Sequence, residues 1–231
     1  MLSIIIPTLN EEKFLPFLLK SIKKQCLSDY EIIVADGDSE DKTIEIAKSY
    51  GCKIIKGGSP AIGRNEGAKK ASGNLLLFLD ADVVLPEKFF ERTLKEFKKR
   101  NLDVASFCLE PQTKRRTQKF LFDAFYNWPI LVFGKILSHA SQAILVKKDI
   151  FQKLGGFDEE IKFAEDHSFV RKAKKIGNFG ILRSVKILSS LRRFEKDGWI
   201  LTYLKYIFAE IYMIIFGDIK RDIFKYKFGH F

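Results

Sequence analysis

Two aspartates separated by one residue, Asp80-Ala81-Asp82, stand directly after the apolar run Leu75 to Leu79. If that run is a buried strand, both acids sit at its mouth, where carboxylate oxygens can hold a hard divalent cation that in turn clamps a diphosphate. The same residues also suit a plain strand-end turn with Asp82 as a cap. A second acidic loop, Asp36-Gly37-Asp38-Ser39, follows the apolar run Glu31 to Ala35. A carboxylate here can accept a hydrogen bond from the imino group of a uracil or guanine base, while Asp38 and Ser39 suit an Asx turn and a helix cap. A third acidic pair, Glu165-Asp166, opens a helical pattern, where acids are stabilising in their own right. Arg192 and Arg193 offer guanidinium forks to a diphosphate or a phosphorylated acceptor, or are plain surface arginines. Gly58 to Asn65 nearly imitates a phosphate-binding P-loop, but Arg64-Asn65 stands where that motif needs Lys followed by Ser or Thr. No GxGxxG occurs either, so neither phosphate-loop reading holds.

Elements that can position these residues are legible around them. Leu2 to Pro7, Glu31 to Ala35, Lys53 to Ile55 and Leu75 to Leu79 are short and apolar, as strands buried on both faces should be. Between them, Glu11 to Gln25 carries Phe14, Leu15, Leu18, Leu19 and Ile22 at helical spacing, and Asp41 to Tyr50 follows a polar turn. Pro60 to Ser72 reads as a third helix with Ser59 as N-cap, and Glu87 to Arg100 as a fourth. This alternation predicts a mostly parallel, twisted α/β sheet flanked by helices, with the ligand crevice at the carboxyl ends of its strands. Beyond Asp103 the pattern loosens: a strand, a basic patch at Lys114 to Lys119, an aromatic segment from Phe120 to Phe133, and an apolar run from Ala143 to Val146. A Gly155-Gly156-Phe157 turn, a helix near Glu165 to Ile176, a strand-like run at Val185 to Leu188 and a long apolar helix from Trp199 complete the chain.

Length and composition set limits. A chain of 231 residues with 46% apolar and 30% charged side chains holds one folded domain, or one with an appendage, and is neither disordered nor collagen-like. Cys26, Cys52 and Cys108 form no CxxC pair, and His139, His167 and His230 are scattered, so no zinc site or disulfide framework is expected. His167 reads first as a packed or solvent-facing ring, in spite of its place beside Asp166. The net charge of +11 favours anionic partners such as nucleic acid, nucleotide phosphates or acidic lipid. The apolar start, Leu2 to Pro7, lacks the features of a secretory signal and reads as a first strand, which places the protein in the cytoplasm.

Five blocks then become recognisable. Ser3-Ile4-Ile5-Ile6-Pro7-Thr8-Leu9-Asn10-Glu11-Glu12, the run from Val34 to Thr43 around Asp36, Gly63-Arg64-Asn65-Glu66-Gly67-Ala68, Phe78-Leu79-Asp80-Ala81-Asp82 and Gly155-Gly156-Phe157-Asp158-Glu159 resemble, in order and spacing, family 2 glycosyltransferases of the GT-A fold. The resemblance covers roughly residues 1 to 183. It implies a GT-A domain over 1–193, with a Rossmann-like donor-binding half over about 1–110 and an acceptor half over 111–193, followed by an amphipathic, basic segment over 194–231. It further implies that Pro7, Thr8, Glu11, Asp36 and Arg64 border the base and ribose of a sugar nucleotide. Asp80 would lie near the ribose and Asp82 would bind Mg²⁺ or Mn²⁺. Glu165 and Asp166 resemble the acceptor-side acidic motif, with Asp166 as general base. Ala140-Ser141-Gln142 stands where the family often has Gly-Asp-Gln, so only Gln142 carries over. Leu191-Arg192-Arg193-Phe194 replaces the QxxRW of processive members, which argues against polysaccharide synthesis.

The expected activity is inverting transfer from a nucleoside diphosphate sugar, with no nucleic acid as partner, to a membrane-associated or lipid-linked acceptor. A nucleotidyltransferase and a non-catalytic, nucleotide-binding membrane-surface protein are the alternatives. The Phe120 to Phe133 and Trp199 to Phe216 clusters exceed what a core readily absorbs and are expected to face lipid or a lipid-linked acceptor. Trp199 to Phe216 is interrupted by Lys205 and Glu210 and falls short of the roughly 20 residues a span needs. It is therefore expected to lie at the inner face of the cell membrane through the stripe Ile200, Leu204, Ile207, Ile211 and Ile215, followed by Lys220, Arg221, Lys225 and Lys227. Packing on the catalytic domain or on a second copy of the chain is the competing use of that stripe.

Overall fold

The computed structural model of the chain describes residues 1–133 and 140–220. Strands β1 (Leu2–Thr8), β2 (Tyr30–Asp36), β3 (Lys53–Lys56) and β4 (Leu75–Leu79) occupy the four apolar runs. Helices α1 (Leu15–Lys23), α2 (Thr43–Ser49) and α3 (Pro60–Lys70) connect them. The start of α3 follows local chemistry: Ser59 Oγ accepts from the Ile62 amide at 3.5 Å, and Pro60, which has no amide hydrogen to satisfy, takes the first turn. The short β5 (Val83–Val84), α4 (Phe89–Lys99) and β6 (Val104–Pro111) follow. Next come α5 (Arg116–Phe122), a π-helical turn at Asp123–Asn127, and α6 (Trp128–Phe133). The remainder is β7 (Ala143–Lys147), α7 (Lys148–Leu154), α8 (Glu165–Ala173), β8 (Phe179–Ser189), α9 (Arg192–Asp197) and α10 (Trp199–Phe216).

The strands form one sheet in the order β3-β2-β1-β4-β7-β6-β8-β5. Alternate residues of its central strands feed two cores: Ile4, Ile6, Leu77 and Leu79 pack towards α1 and α4, while Ile5, Leu76 and Phe78 pack with residues of α3, α7 and α8. Burial on both faces is what turns these strands into continuous apolar runs in the sequence.

The expectation of a mostly parallel sheet is corrected. Pairs β1–β2, β1–β4, β2–β3 and β6–β8 are parallel, but β7 runs antiparallel to both β4 and β6, and β5 antiparallel to β8. The cause is that the chain reaches β7 from the crevice side, so this strand starts where β4 ends: Ala143 pairs with Leu79, and the Asp80 amide donates to the Gln142 carbonyl at 3.0 Å. A parallel β7 would have carried Gln142 to the opposite end of the sheet.

The C-terminal helix forms where expected but is not amphipathic in the expected sense. Its stripe Ile200, Leu204, Ile207, Ile211 and Ile215 is 50–78% exposed, while Thr202, Ala209 and Met213 face the body of the protein. Glu210 is turned to His167 of the body and Lys205 is paired with Asp197 near the start of the helix, so the exposed stripe itself is apolar. The helix is also continuous with the main core: Phe194, at the start of the expected C-terminal segment, is buried, and its ring lies 4.6 Å from that of Trp199. Of the basic tail only Lys220 lies within the described residues; Arg221, Lys225 and Lys227 lie outside them, as do His139 and His230.

Close approach of α3 to β1 sets the position of Arg64. A Cβ on Gly67 would come 2.3 Å from Cγ2 of the fully buried Ile5. We expect Gly67→Ala to lower the stability of the fold by about 1–3 kcal/mol through overpacking, read from the urea unfolding midpoint. An unchanged midpoint would contradict this packing.

Candidate active site

At the carboxyl ends of β1 and β4, beside the start of β7 and the end of β8, a cleft of about 670 Å³ opens. Pro7, Glu11, Arg64, Asp80, Asp82 and Gln142 line one side, Glu165 and Asp166 come from the first turn of α8, and Arg192 and Arg193 come from the first turn of α9. Three segments that are distant in sequence thus bring both acidic motifs to one space.

Two guanidinium groups organise the acids. Arg64, almost fully buried, donates through Nη2 to Asp80 Oδ1 at 2.8 Å and through Nη1 to Glu165 Oε1, so that one side chain joins the strand-end pair to the acidic pair of α8. Its guanidinium also lies 5.3 Å from the centre of the Phe157 ring. Burial would lower the pKa of Arg64, but Glu165, Asp80 and Asp166 together raise it, so it stays charged. Arg192 makes the second cluster: Nη1 and Nη2 reach Glu11 at 3.0–3.1 Å, and Nε lies 2.9 Å from Asp82 Oδ2. Gln142 Nε2 donates to the other Asp82 oxygen at 3.1 Å.

Burial pushes the Asp80 carboxyl up to about 6 against the pull of Arg64, with Asp82 and Asp166 adding to the rise. Burial likewise pushes Glu11 up to about 7, against Arg192. Burial, more than repulsion between the acids, thus favours the neutral forms of both groups, and a cation bound beside them would draw them back towards the charged state.

Thr8 and Asp36 do not line this cleft. They face each other across the β1–β2 ladder, where Thr8 Oγ1 donates to Asp36 Oδ1 at 2.8 Å, and both are buried. Asp36 also accepts from the Ser39 amide and hydroxyl at 2.8 and 2.6 Å, so Asp36 rather than Asp38 makes the Asx turn. Ser39 Oγ in turn accepts from the Asn10 amide, which fixes the loop carrying Glu11.

Some residues of the site escaped the sequence reading. Asn65 holds the Gly-Gly-Phe turn by accepting from the Phe157 amide at 2.8 Å and donating to the Phe157 carbonyl at 2.9 Å, which locates the segment leading to α8. His167 lies within the cleft wall and its Nδ1 is 3.0 Å from Glu210 Oε1 of α10. Burial opposes its protonation, but Asp166 and Glu210 raise its pKa to about 9, so it is a charged partner of acids. A lone acid in the middle of an apolar helix was the available signal for that pair. Among the described residues no three His, Cys, Asp or Glu side chains are grouped as a ready-made metal site.

Residues 3–154 match the model of glycosyl transferase family 2. The poly(ribitol-phosphate) beta-N-acetylglucosaminyltransferase TarS of Staphylococcus aureus is 28% identical over 187 residues, covering 74% of this chain and only 32% of its own length. A PGL/p-HBAD biosynthesis glycosyltransferase of Mycobacterium bovis is 31% identical over 187 residues, covering 73% of this chain and 68% of its own. Among solved structures, the mannosyltransferase PcManGT of Pyrobaculum calidifontis, in complex with GDP-Man and Mn²⁺, superposes with a TM-score of 0.69 at 19% identity, covering 89% of this chain and 64% of that one. At this identity the structural likeness bears on the fold, which is that of the GT-A proteins.

Removing Arg64 leaves two half-buried acids without their shared cation. We expect Arg64→Met to destabilise the fold by about 3–5 kcal/mol. The penalty depends on pH in a definite direction. Without Arg64 the folded pKa of Asp80, already about 6, rises further above its unfolded value, so the stability held at low pH is lost as pH climbs through that range. Thermal unfolding should show a larger deficit against the wild type at pH 8 than at pH 4.5; an equal deficit would contradict the ion bridge.

Proposed function

Because the chain belongs to glycosyl transferase family 2, we propose that it transfers a sugar, with inversion, from a nucleoside diphosphate sugar to a lipid-linked or otherwise membrane-associated acceptor. One observation carries this reading: Asp80 and Asp82 at the end of β4, and Glu165 and Asp166 at the start of α8, converge on one cleft, with Arg64 holding the two pairs together. The sugar nucleotide named with PcManGT, and the sugar transfer named for TarS and the mycobacterial relative, support the same class of donor.

Pro7 and Glu11 border the donor side of the cleft, where β1 ends, and Asp36 supports that side from behind through the Ser39 turn. Asp80 and Asp82 fit a hard divalent cation, Mg²⁺ or Mn²⁺: two carboxylates at one strand end are the share a protein supplies when phosphate oxygens complete the coordination shell. When bound, such a cation neutralises charge that develops on the leaving diphosphate. Arg192 and Arg193 face the same space and add guanidinium donors to it. Gln142, placed by the antiparallel β7, orients the Asp82 carboxylate.

Asp166 lies on the acceptor side, where it takes the proton of the attacking hydroxyl as that oxygen approaches the anomeric carbon opposite the diphosphate. The Asp166 carboxylate accepts from the His167 amide at 2.9 Å, which restrains its orientation. A carboxylate is a weak base in water, so the role depends on a cleft whose far wall is aromatic, with Phe122, Tyr126 and Tyr206. The strongly basic chain and the exposed apolar α10 support a reaction at the anionic, cytoplasmic face of a membrane.

Two variants separate the parts. Asp166→Asn should keep donor affinity and lose about 10²–10⁴-fold of transfer to a hydroxyl acceptor. Asp82→Ala should abolish the Mn²⁺-dependent share of nucleoside diphosphate binding measured by calorimetry. Joint loss of donor binding and turnover in Asp166→Asn, or unchanged Mn²⁺ dependence in Asp82→Ala, would contradict these assignments.

A further inference from the structure

Fourteen of the seventeen exposed large apolar side chains among the described residues lie on two pieces of chain: α10, and the stretch from α5 to α6. On the second stretch Phe120, Phe125 and Trp128 are 60–71% exposed. The two pieces are neighbours, for the ring of Phe125 lies 5.9 Å from that of Tyr203 on α10, and Phe122 and Trp199 both pack on Phe194. The exposed apolar side chains of the two pieces therefore adjoin, and a contiguous exposed apolar surface of this kind marks an interaction site.

This surface surrounds an opening of the cleft. Phe125 on one side, and Ile207, Ile211 and Ile214 on the other, line the cleft and are at the same time 50–66% exposed. Asp166 and His167 line the same cleft further in. Exposed basic residues, Lys114, Arg115 and Arg116, stand at the start of α5, beside the surface. We propose that α10 and the α5–α6 stretch are two lips that dock together on an anionic bilayer, and that an amphiphilic acceptor enters between them from the bilayer, headgroup first, towards Asp166. The acceptor part rests on the sugar-transfer reading; the docking part does not.

Several features favour a lipid surface as the occupant. Basic residues beside an aromatic and aliphatic face complement anionic headgroups. Trp128 and the cleft tyrosines, Tyr126, Tyr203 and Tyr206, suit the boundary where one end of a side chain is apolar and the other wet. α10 has the length and the mean hydropathy, 1.5 over 18 residues, to cross a membrane by composition. Its attachments hold it along the surface instead. Near its first turn Trp199 and Tyr203 pack on Phe194, and past its end Ile219 is fully buried and pairs with Phe163, with the Lys162 amide donating to the Ile219 carbonyl at 3.1 Å. Midway, Glu210 is held by His167. A helix fastened at both ends and the middle to one body presents a side, not an end, to the bilayer.

The experiment uses the full chain and vesicles of phosphatidylcholine with or without phosphatidylglycerol. We expect co-sedimentation with the anionic vesicles that weakens as salt is raised, and quenching of Trp128 fluorescence, in a Trp199→Phe background, by lipids brominated near the top of the acyl chain. Leu204→Ser/Ile215→Ser on one lip and Phe120→Ser/Trp128→Ser on the other alter exposed side chains outside the cleft. Each pair should weaken vesicle binding about tenfold or more, with melting temperature and nucleoside diphosphate affinity unchanged. Loss of binding in only one pair would overturn the two-lip face. A wild-type chain that stays in solution at low salt, or that elutes as a dimer which the same substitutions dissociate, would overturn membrane docking. Nucleoside diphosphate affinity in the same samples reports on the donor reading separately, so either can fail without the other.

Discussion

The buried Arg64 guanidinium is the point on which the site depends. It reaches residues that lie 16 and 101 positions away in the chain, Asp80 and Glu165, and it can do so only because α3 packs hard on β1 and because Asn65 holds the Phe157 turn in place. A charge this deep is tolerated when it is paired on more than one side, and removal of such a charge strands its partners. The ion bridge therefore joins the end of β4 to the start of α8, and it makes the distance between the two acidic motifs a property of the core.

A second constraint comes from strand direction. β7 enters the sheet against the grain of β1, β2 and β4, and by doing so delivers Gln142 beside Asp82. Arg192 arrives from the opposite edge, after β8, to meet Glu11 and Asp82. Asp82 is thus held by two donors, Gln142 and Arg192, that come from later in the chain. Its carboxylate is oriented before any ligand enters, which lowers the reorganisation that binding would require.

Much of this was legible in the sequence where local chemistry decides the outcome. The first four strands are continuous apolar runs because the sheet buries both of their faces, and α3 starts where Ser59 and Pro60 dictate. The direction of β7 was not legible, since an apolar run carries no sign of whether its partners are parallel. Thr8 and Asp36 illustrate a different limit: a polar pair next to a strand end looks the same in sequence whether it faces ligand or faces itself across a ladder. For α10 the spacing of Ile200, Leu204 and Ile207 did not say which side of the helix the body takes, which is set by Phe194, His167 and Ile219, none of which belongs to the helix pattern. The Arg64 bridge combines a motif residue with two others whose proximity only the fold creates.

The central claim is that this cleft takes a nucleoside diphosphate between the β1 and β4 ends and the arginines after β8. Anomalous X-ray difference density from crystals grown with Mn²⁺ and a nucleoside diphosphate tests it most directly. A manganese peak is expected within coordination distance of Asp82, with the diphosphate on its far side and Arg192 turned from Asp82 towards the phosphates. A nucleotide bound elsewhere on the protein, or one bound in the cleft with the metal remote from both Asp80 and Asp82, would contradict it.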